Sequence, residues 1–178
     1  MYNALPYKEE RNVPRNAILE IHKDELQFSA GHFTIFSATE RENIHGHNFN
    51  VNVEFHFVLA PNGISFDYRF YRSKLSKLCE QLHLRFLAPE HSPFLKIEDA
   101  GDCWFLHFNN EKIPFLKRDL MILPVANVTI EELSYWFLQQ LLQQPNELDN
   151  HGIHKLIVRV FNAPGQSGAA EWSKQNRN

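Results

Sequence analysis

Between Ile44 and Leu59 apolar and polar positions alternate with a period of two. The odd positions are His45, His47, Phe49, Val51, Val53, Phe55, Phe57 and Leu59, and the even ones include Asn48, Asn50, Asn52, Glu54 and His56. Successive side chains of a strand point to opposite faces, so alternation of this length predicts one buried and one wet face. Residues 17–33 predict a second strand, in which Leu26, Phe28, Ala30 and His32 share one parity and Glu25, Gln27 and Ser29 the other. Residues 34–43 are polar and read as the connection between the two. Pro61-Asn62-Gly63 marks a turn. The period then changes: Tyr71, Leu75, Leu78, Leu82 and Phe86 recur at spacings of three and four, which predicts a helix closed by Pro89. Residues 103–115 read as a hairpin turning at Asn109-Asn110-Glu111-Lys112. Thr129 opens a second helix with Ile130, Leu133, Phe137 and Leu141 on its inner stripe and Glu132 completing a capping box. A strand over 154–161 and a short one after Pro164-Gly165 finish the chain. The pattern predicts an α+β domain over residues 17–172, with an antiparallel sheet, two helices on one face and an inserted hairpin. Residues 1–16 read as a flexible N-terminal arm and 173–178 as a polar tail.

The chain has 178 residues, 43% of them hydrophobic, enough for one domain with a real core. A net charge of −3 gives no basic face for nucleic acid, and no charge run suggests a membrane surface. The apolar stretches are too short to span a bilayer, and the N-terminal segment has no apolar core of a secretory leader. Two cysteines, Cys79 and Cys103, cannot build a disulfide framework; both read as structural, and the pattern fits a reducing cytoplasm. Fifteen phenylalanines and ten histidines change the picture, because a bland globular composition does not require ten imidazoles.

His45 and His47 share the inward parity of their strand, which puts their Cβ atoms roughly 7 Å apart, close enough for two ring nitrogens to converge on one ion. His32 lies on the inward parity of the preceding strand, and antiparallel neighbours bring such positions together. Three neutral imidazoles on a rigid sheet form the protein half of a catalytic zinc site with an open fourth position, although other transition metals suit imidazole equally. On spacing alone, half-buried histidines with backbone partners are the competing account.

Phe28-Ser29-Ala30-Gly31-His32-Phe33 followed by Ile44-His45-Gly46-His47-Asn48-Phe49-Asn50-Val51 closely resembles the family of 6-pyruvoyltetrahydropterin and 6-carboxytetrahydropterin synthases. Phe66-Asp67-Tyr68, Asn127-Val128-Thr129-Ile130-Glu131 and Pro164-Gly165-Gln166 extend the resemblance over about residues 17–172. The resemblance implies a tunnelling fold (T-fold), assembly as a homotrimer or homohexamer, and zinc on His32, His45 and His47. It also implies a cysteine base before the His-Gly-His triplet, an Asp-His pair at the end of the first helix and a pterin-anchoring Glu near the C-terminus.

All three of those last positions differ here. Residues 38–44 contain no cysteine, and Glu42, with Glu40 second, is the expected base. The helix end reads Leu82-His83-Leu84, so His83, or His91 beyond Pro89, is the candidate proton shuttle. Asn162 stands where the anchoring Glu would be, and an amide cannot give the charge-assisted bidentate grip of a carboxylate. Thr129 and Glu131 are further candidate substrate contacts, with helix capping as the simpler account of that segment. The expected activity is that of a zinc-dependent lyase acting on the side chain of a reduced pterin such as 7,8-dihydroneopterin triphosphate, by triphosphate elimination or side-chain cleavage. The alternative is a diverged T-fold protein that binds a metal and a pterin- or purine-like ligand without turnover.

Overall fold

The computed structural model describes residues 14–174. Most of the expected N-terminal arm and the last four residues of the expected tail lie outside that range.

Two long strands carry the fold. β1 (Arg15–His32) pairs antiparallel with β2 (His45–Leu59), and β2 with β8 (Ile153–Ala163), which in turn pairs antiparallel with β9 (Gln166–Ser173). Arg15 and Asn16, expected in the arm, already pair with Leu59 and Val58, and Ser173, expected in the tail, pairs with Lys155. A bulge in β1 between His22 and Gln27 changes its inward parity. Before it the residues facing the odd, inward positions of β2 are Ala17, Leu19 and Ile21; after it they are Phe28, Ala30 and His32. An extra residue in one strand flips every later side chain to the other face. Here the flip turns His32 inward.

α1 (Tyr68–Leu82) is capped by Asp67, whose carboxylate accepts from the Arg69 amide at 3.0 Å, and it buries Tyr71, Leu75, Leu78, Cys79 and Leu82 against β1. α2 (Ile130–Leu142) packs on β8 and β9 through Leu133, Trp136, Phe137 and Leu141. Phe28 stacks on Phe49, with Phe137 of α2 beside it, so both helices close one core against the same face of the sheet. Thr129 Oγ1 caps α2 by accepting from the Glu132 amide at 3.3 Å. The Glu132 carboxylate accepts from the Ala126 amide at 3.2 Å, so the capping box closes one turn further upstream than expected.

The first helix is shorter than its apolar spacing suggests. It ends at Leu82, and Leu84 takes φ 58° while its amide donates to the Ser29 carbonyl at 2.7 Å. Phe86 and Pro89 belong to β3 (Arg85–Pro89), which runs parallel to β1 and is flanked in parallel by β7 (Leu120–Leu123). The four-residue step from Leu82 to Phe86 fits a helix, but the buried run Phe86-Leu87-Ala88 is equally that of a short parallel strand. The six-stranded sheet therefore has the order β7-β3-β1-β2-β8-β9, antiparallel across its four long strands as expected and parallel at one side.

The inserted hairpin, β5 (Cys103–Phe108) and β6 (Glu111–Leu116), turns at Asn109-Asn110 and gains a third strand, β4 (Leu95–Ala100). This small sheet rests on a second core of Phe33, Ile35, Phe86, Leu95, Leu106 and Phe108. A short α3 (Pro145–Asn150) leads into β8. Among the described residues no helix is long and apolar enough to cross a membrane.

Candidate metal centre

The register of β1 and β2 places His32 directly opposite His45 and Ala30 opposite His47. With Gly46 between them, His45 and His47 stay on the inward face. A Cβ at Gly46 would stand 3.2 Å from the Ala30 carbonyl oxygen, so the strands close tightly at this point. Each of the three histidines offers one ring nitrogen, and these atoms lie within 4.8 Å of one another. His32 is 5% exposed, while His45 and His47 are half-buried.

Second partners orient the rings. The Val128 carbonyl, just before α2, lies 2.9 Å from His32 Nδ1, and the Asn43 carbonyl 2.9 Å from His45 Nδ1. A carbonyl can only accept, so both Nδ1 atoms carry the proton and both Nε2 lone pairs are left for the cluster. His32 Nε2 is buried with no hydrogen-bond partner. Burial, helped by the neighbouring His45, pushes the His32 pKa down to about 4; the Val128 hydrogen bond opposes this without reversing it. Burial and His45 lower His47 as well. With His32 and His47 biased toward the neutral form, a buried lone pair on His32 and backbone carbonyls orienting two of the rings, the cluster fits a divalent cation such as zinc.

Glu42 stands beside this cluster. Its Oε2 accepts from the Thr34 amide at 2.9 Å and lies 3.9 Å from His45 Nε2. Burial raises its pKa, but hydrogen bonding from Thr34 and the two nearby imidazoles outweigh that, and the carboxyl sits below the usual range. Glu40 is exposed, and its carbonyl closes the turn by accepting from the Phe36 and Ser37 amides.

The structure does not bring the two expected proton shuttles to the cluster. His83 caps α1 on the surface, where its Nδ1 accepts from the Ser29 amide at 3.1 Å. His91 is exposed beside Glu90, with its Nε2 3.9 Å from Glu90 Oε2. Thr129 is engaged in capping, and Glu131 is exposed in the first turn of α2. Asn162 differs from both, because its Oδ1 is buried without a hydrogen-bond partner. It lines a cavity of about 570 Å³ with His22, His47, Asn50 and Phe161. A second cavity, of about 410 Å³, shares Gly46, His47 and Asn48 with the first and reaches Arg85. The two meet at the His-Gly-His triplet.

Two residues of the site carry roles that the sequence did not reveal. Asn127 clamps the connection after β1: its Oδ1 accepts from the Ile35 amide at 3.1 Å and its Nδ2 donates to the Ile35 carbonyl at 2.8 Å. Arg41 donates to the Glu42 carbonyl at 2.7 Å. Asn127 reaches Ile35 across 92 residues, and Arg41 is held for its contact by Glu111, 70 residues away, so no local pattern marks these roles.

A model of the family described as 6-pyruvoyl tetrahydropterin synthase matches residues 20–171 of the chain. A Pyrococcus horikoshii protein provisionally named 6-carboxy-5,6,7,8-tetrahydropterin synthase is 24% identical over 139 residues, covering 78% of this chain and 81% of its own. Among solved structures, 6-pyruvoyl tetrahydropterin synthases from Plasmodium falciparum and Plasmodium vivax are 25% and 26% identical, with TM-scores of 0.83 and 0.84. Each alignment covers 89% of this chain, and 98% and 99% of the respective relatives. The Plasmodium vivax protein has also been solved with a glutamate, described as its catalytic residue, replaced by alanine and by cysteine.

Proposed function

Because the chain belongs to the 6-pyruvoyl tetrahydropterin synthase family, we propose that it is a zinc-dependent lyase acting on the side chain of a reduced pterin such as 7,8-dihydroneopterin triphosphate. The observation that carries this reading is the carboxylate of Glu42 beside three converging imidazoles. His32, His45 and His47 would hold the ion, which when bound supplies Lewis acidity toward a hydroxyl or carbonyl of the substrate side chain. Glu42 is the base. A solved relative whose catalytic residue is a glutamate supports that role for a glutamate in place of cysteine. Its depressed pKa keeps it ionised at neutral pH, and the Thr34 amide fixes the oxygen that faces His45.

The heterocycle occupies the larger cavity, where the buried Asn162 Oδ1 accepts an N–H of the ring edge. Thr129 already spends its hydroxyl on α2, and Glu131 faces solvent, so Asn162 is the ring contact of the three. The side chain of the substrate then passes His47 toward the cavity that reaches Arg85.

Two reactions are open to this arrangement. In triphosphate elimination Glu42 takes a carbon-bound proton, the electron pair forms a double bond and the triphosphate leaves. In side-chain cleavage it takes a hydroxyl proton, the carbon–carbon bond breaks, and the pterin-side carbon takes up a proton. Cleavage needs one group that both accepts and returns a proton. With neither His83 nor His91 at the cluster, that single-carboxylate route suits this chain better. We also place the enzyme in a homotrimer or homohexamer.

The test is mass spectrometry of the products after incubating zinc-loaded protein with 7,8-dihydroneopterin triphosphate. A 6-hydroxymethyl pterin is the expected product, and Glu42→Gln should abolish it while zinc stays bound. A pyruvoyl product would assign elimination instead. No product, with one zinc per chain in the same sample, would sink the enzymatic reading and leave a metal- and pterin-binding protein.

A further inference from the structure

Glu42 ends a loop that is clamped from two sides. Within the loop, the Glu42 amide donates to the Thr34 carbonyl at 2.9 Å, its carboxylate accepts from the Thr34 amide, and Ile35 bridges Arg41. Asn127 holds the Ile35 side to the segment whose Val128 carbonyl orients His32. On the Glu42 side, Arg41 is the side chain that holds the backbone among the described residues.

Each of the three guanidinium nitrogens of Arg41 donates a hydrogen bond. Nη1 donates to the Glu42 carbonyl at 2.7 Å, Nε donates to Glu111 Oε2 at 2.8 Å, and Nη2 donates to the same oxygen. Its face lies against Phe33, the neighbour of His32, with Cζ 4.8 Å from the ring centroid, and against Phe108 at 5.8 Å. The Arg41 side chain is only 15% exposed, although its partner Glu111 is 50% exposed. Glu111 opens β6 directly after the Asn109-Asn110 turn, opposite Phe108 of β5. The small sheet is in turn rooted in the core that contains Phe33, Ile35 and Phe108. A planar fork of donors spans two acceptors in a fixed geometry, which an ammonium on a flexible stem does not. The contact therefore runs from the inserted sheet, through one guanidinium, to the backbone of the candidate base.

We propose that Arg41 is a positioning residue for Glu42 and that the inserted sheet β4–β6 acts, through Glu111, as the anchor that holds it. This rests on the assignment of Glu42 as the base. Glu111 touches neither the imidazoles nor either cavity, so its effect on chemistry can only pass through Arg41. A half-exposed ion pair contributes little to global stability. Loss of Glu111 should therefore leave the melting temperature nearly unchanged while displacing Glu42, and a small misplacement of a reacting group costs rate out of proportion to stability.

The test compares zinc-loaded Glu111→Gln with the unaltered chain in two ways. Steady-state kinetics on 7,8-dihydroneopterin triphosphate should show kcat lowered about tenfold or more, with KM and zinc per chain unchanged. Arg41→Lys, which keeps the charge but not the fork, should fall at least as far. Hydrogen–deuterium exchange without substrate should show faster exchange at the Thr34 and Glu42 amides in Glu111→Gln. Unchanged exchange there, or an unchanged kcat while Glu42→Gln is inactive, overturns the anchor alone. Full turnover by Glu42→Gln overturns the base assignment, and the catalytic meaning of Arg41 falls with it. If the unaltered chain turns over no pterin, exchange decides: faster exchange supports the mechanical link to Glu42, and unchanged exchange overturns it.

Discussion

At the scale of single residues, the three imidazoles do different work although all offer a nitrogen to the same point. His32 is buried and bonded to the Val128 carbonyl, whereas His45 is half-buried at the strand end. Truncating them should therefore have different consequences. His45→Ala should abolish stoichiometric zinc, measured by metal analysis after gel filtration, and leave the metal-free melting temperature within a few degrees. His32→Ala should lose the metal and also about 2 kcal/mol of stability, since it opens a cavity and orphans a buried carbonyl. The buried ring also ties stability to pH. Its pKa falls from 6.5 to about 4 on folding. Between those values the unfolded chain binds a proton that the folded chain refuses, so stability falls as pH drops through that window and is fully present above it. Urea midpoints of the metal-free protein should decline over that range, and His32→Ala should flatten the decline. An equally steep decline in His32→Ala would assign it to other groups. The triplet and His32 were legible because strand parity is local, and each inward imidazole announces itself by keeping company with apolar residues. Glu42 was legible only through the resemblance, since an acid in a polar connection carries no pattern of its own. Asn127 was visible only as part of a family-like motif and Arg41 not at all; the clamping role of each depends on a partner 92 and 70 residues away in sequence.

At the scale of elements, the site depends on how closely β9 presses on the first turn of α2. A Cβ at Gly168 would stand 2.6 Å from the Glu131 amide nitrogen and 2.7 Å from the Ile130 carbonyl carbon, both backbone atoms that cannot rotate away. The seam is sealed by Ser134, fully buried, whose hydroxyl lies 2.7 Å from the Ile130 carbonyl and 2.9 Å from that of Gly168, and accepts from the Val160 amide at 3.1 Å. Gly168→Ala should cost about 1–3 kcal/mol in chemical denaturation, because only a backbone shift can relieve the overlap. The same shift moves Val128, the acceptor for His32, so zinc affinity should fall with stability. A neutral Gly168→Ala would mean that α2 is not held by β9. Elements with a strong period, such as β2 and the stripe of α2, were readable from their own residues. The bulge in β1 was not, since its signal is a change of parity across Lys23-Asp24-Glu25 rather than a pattern. The parallel strands β3 and β7 were also missed: five and four residues long, they are held by neighbours that no local rule names.

At the scale of the whole molecule, no helix among the described residues covers one face of the large sheet. The helices close the face with the odd residues of β2, and the other face carries Glu20, Asn52, Glu54, His56 and Arg159. These side chains engage one another, through Asn52 with Glu20, Arg159 with Glu54, and His56 with Glu54 at 3.4 Å. Toward one end the same face turns apolar, with Ile18 62% and Val58 43% exposed. A sheet with a linked charged centre, an apolar end and, among the described residues, β7 and β9 as its edge strands is poorly matched to water as a lone chain. The expected outcome is that light scattering coupled to gel filtration returns three or six chain masses at micromolar concentration. An obligate assembly has a second signature: its urea midpoint rises with protein concentration, because dilution favours the dissociated, unfolded chain. Ile18→Lys with Val58→Lys should lower the mass to that of a single chain and remove the concentration dependence. A single chain mass for the unaltered protein, with a midpoint indifferent to concentration, would refute the assembly. The two cavities at the His-Gly-His triplet would then have to bind substrate with this chain's residues alone.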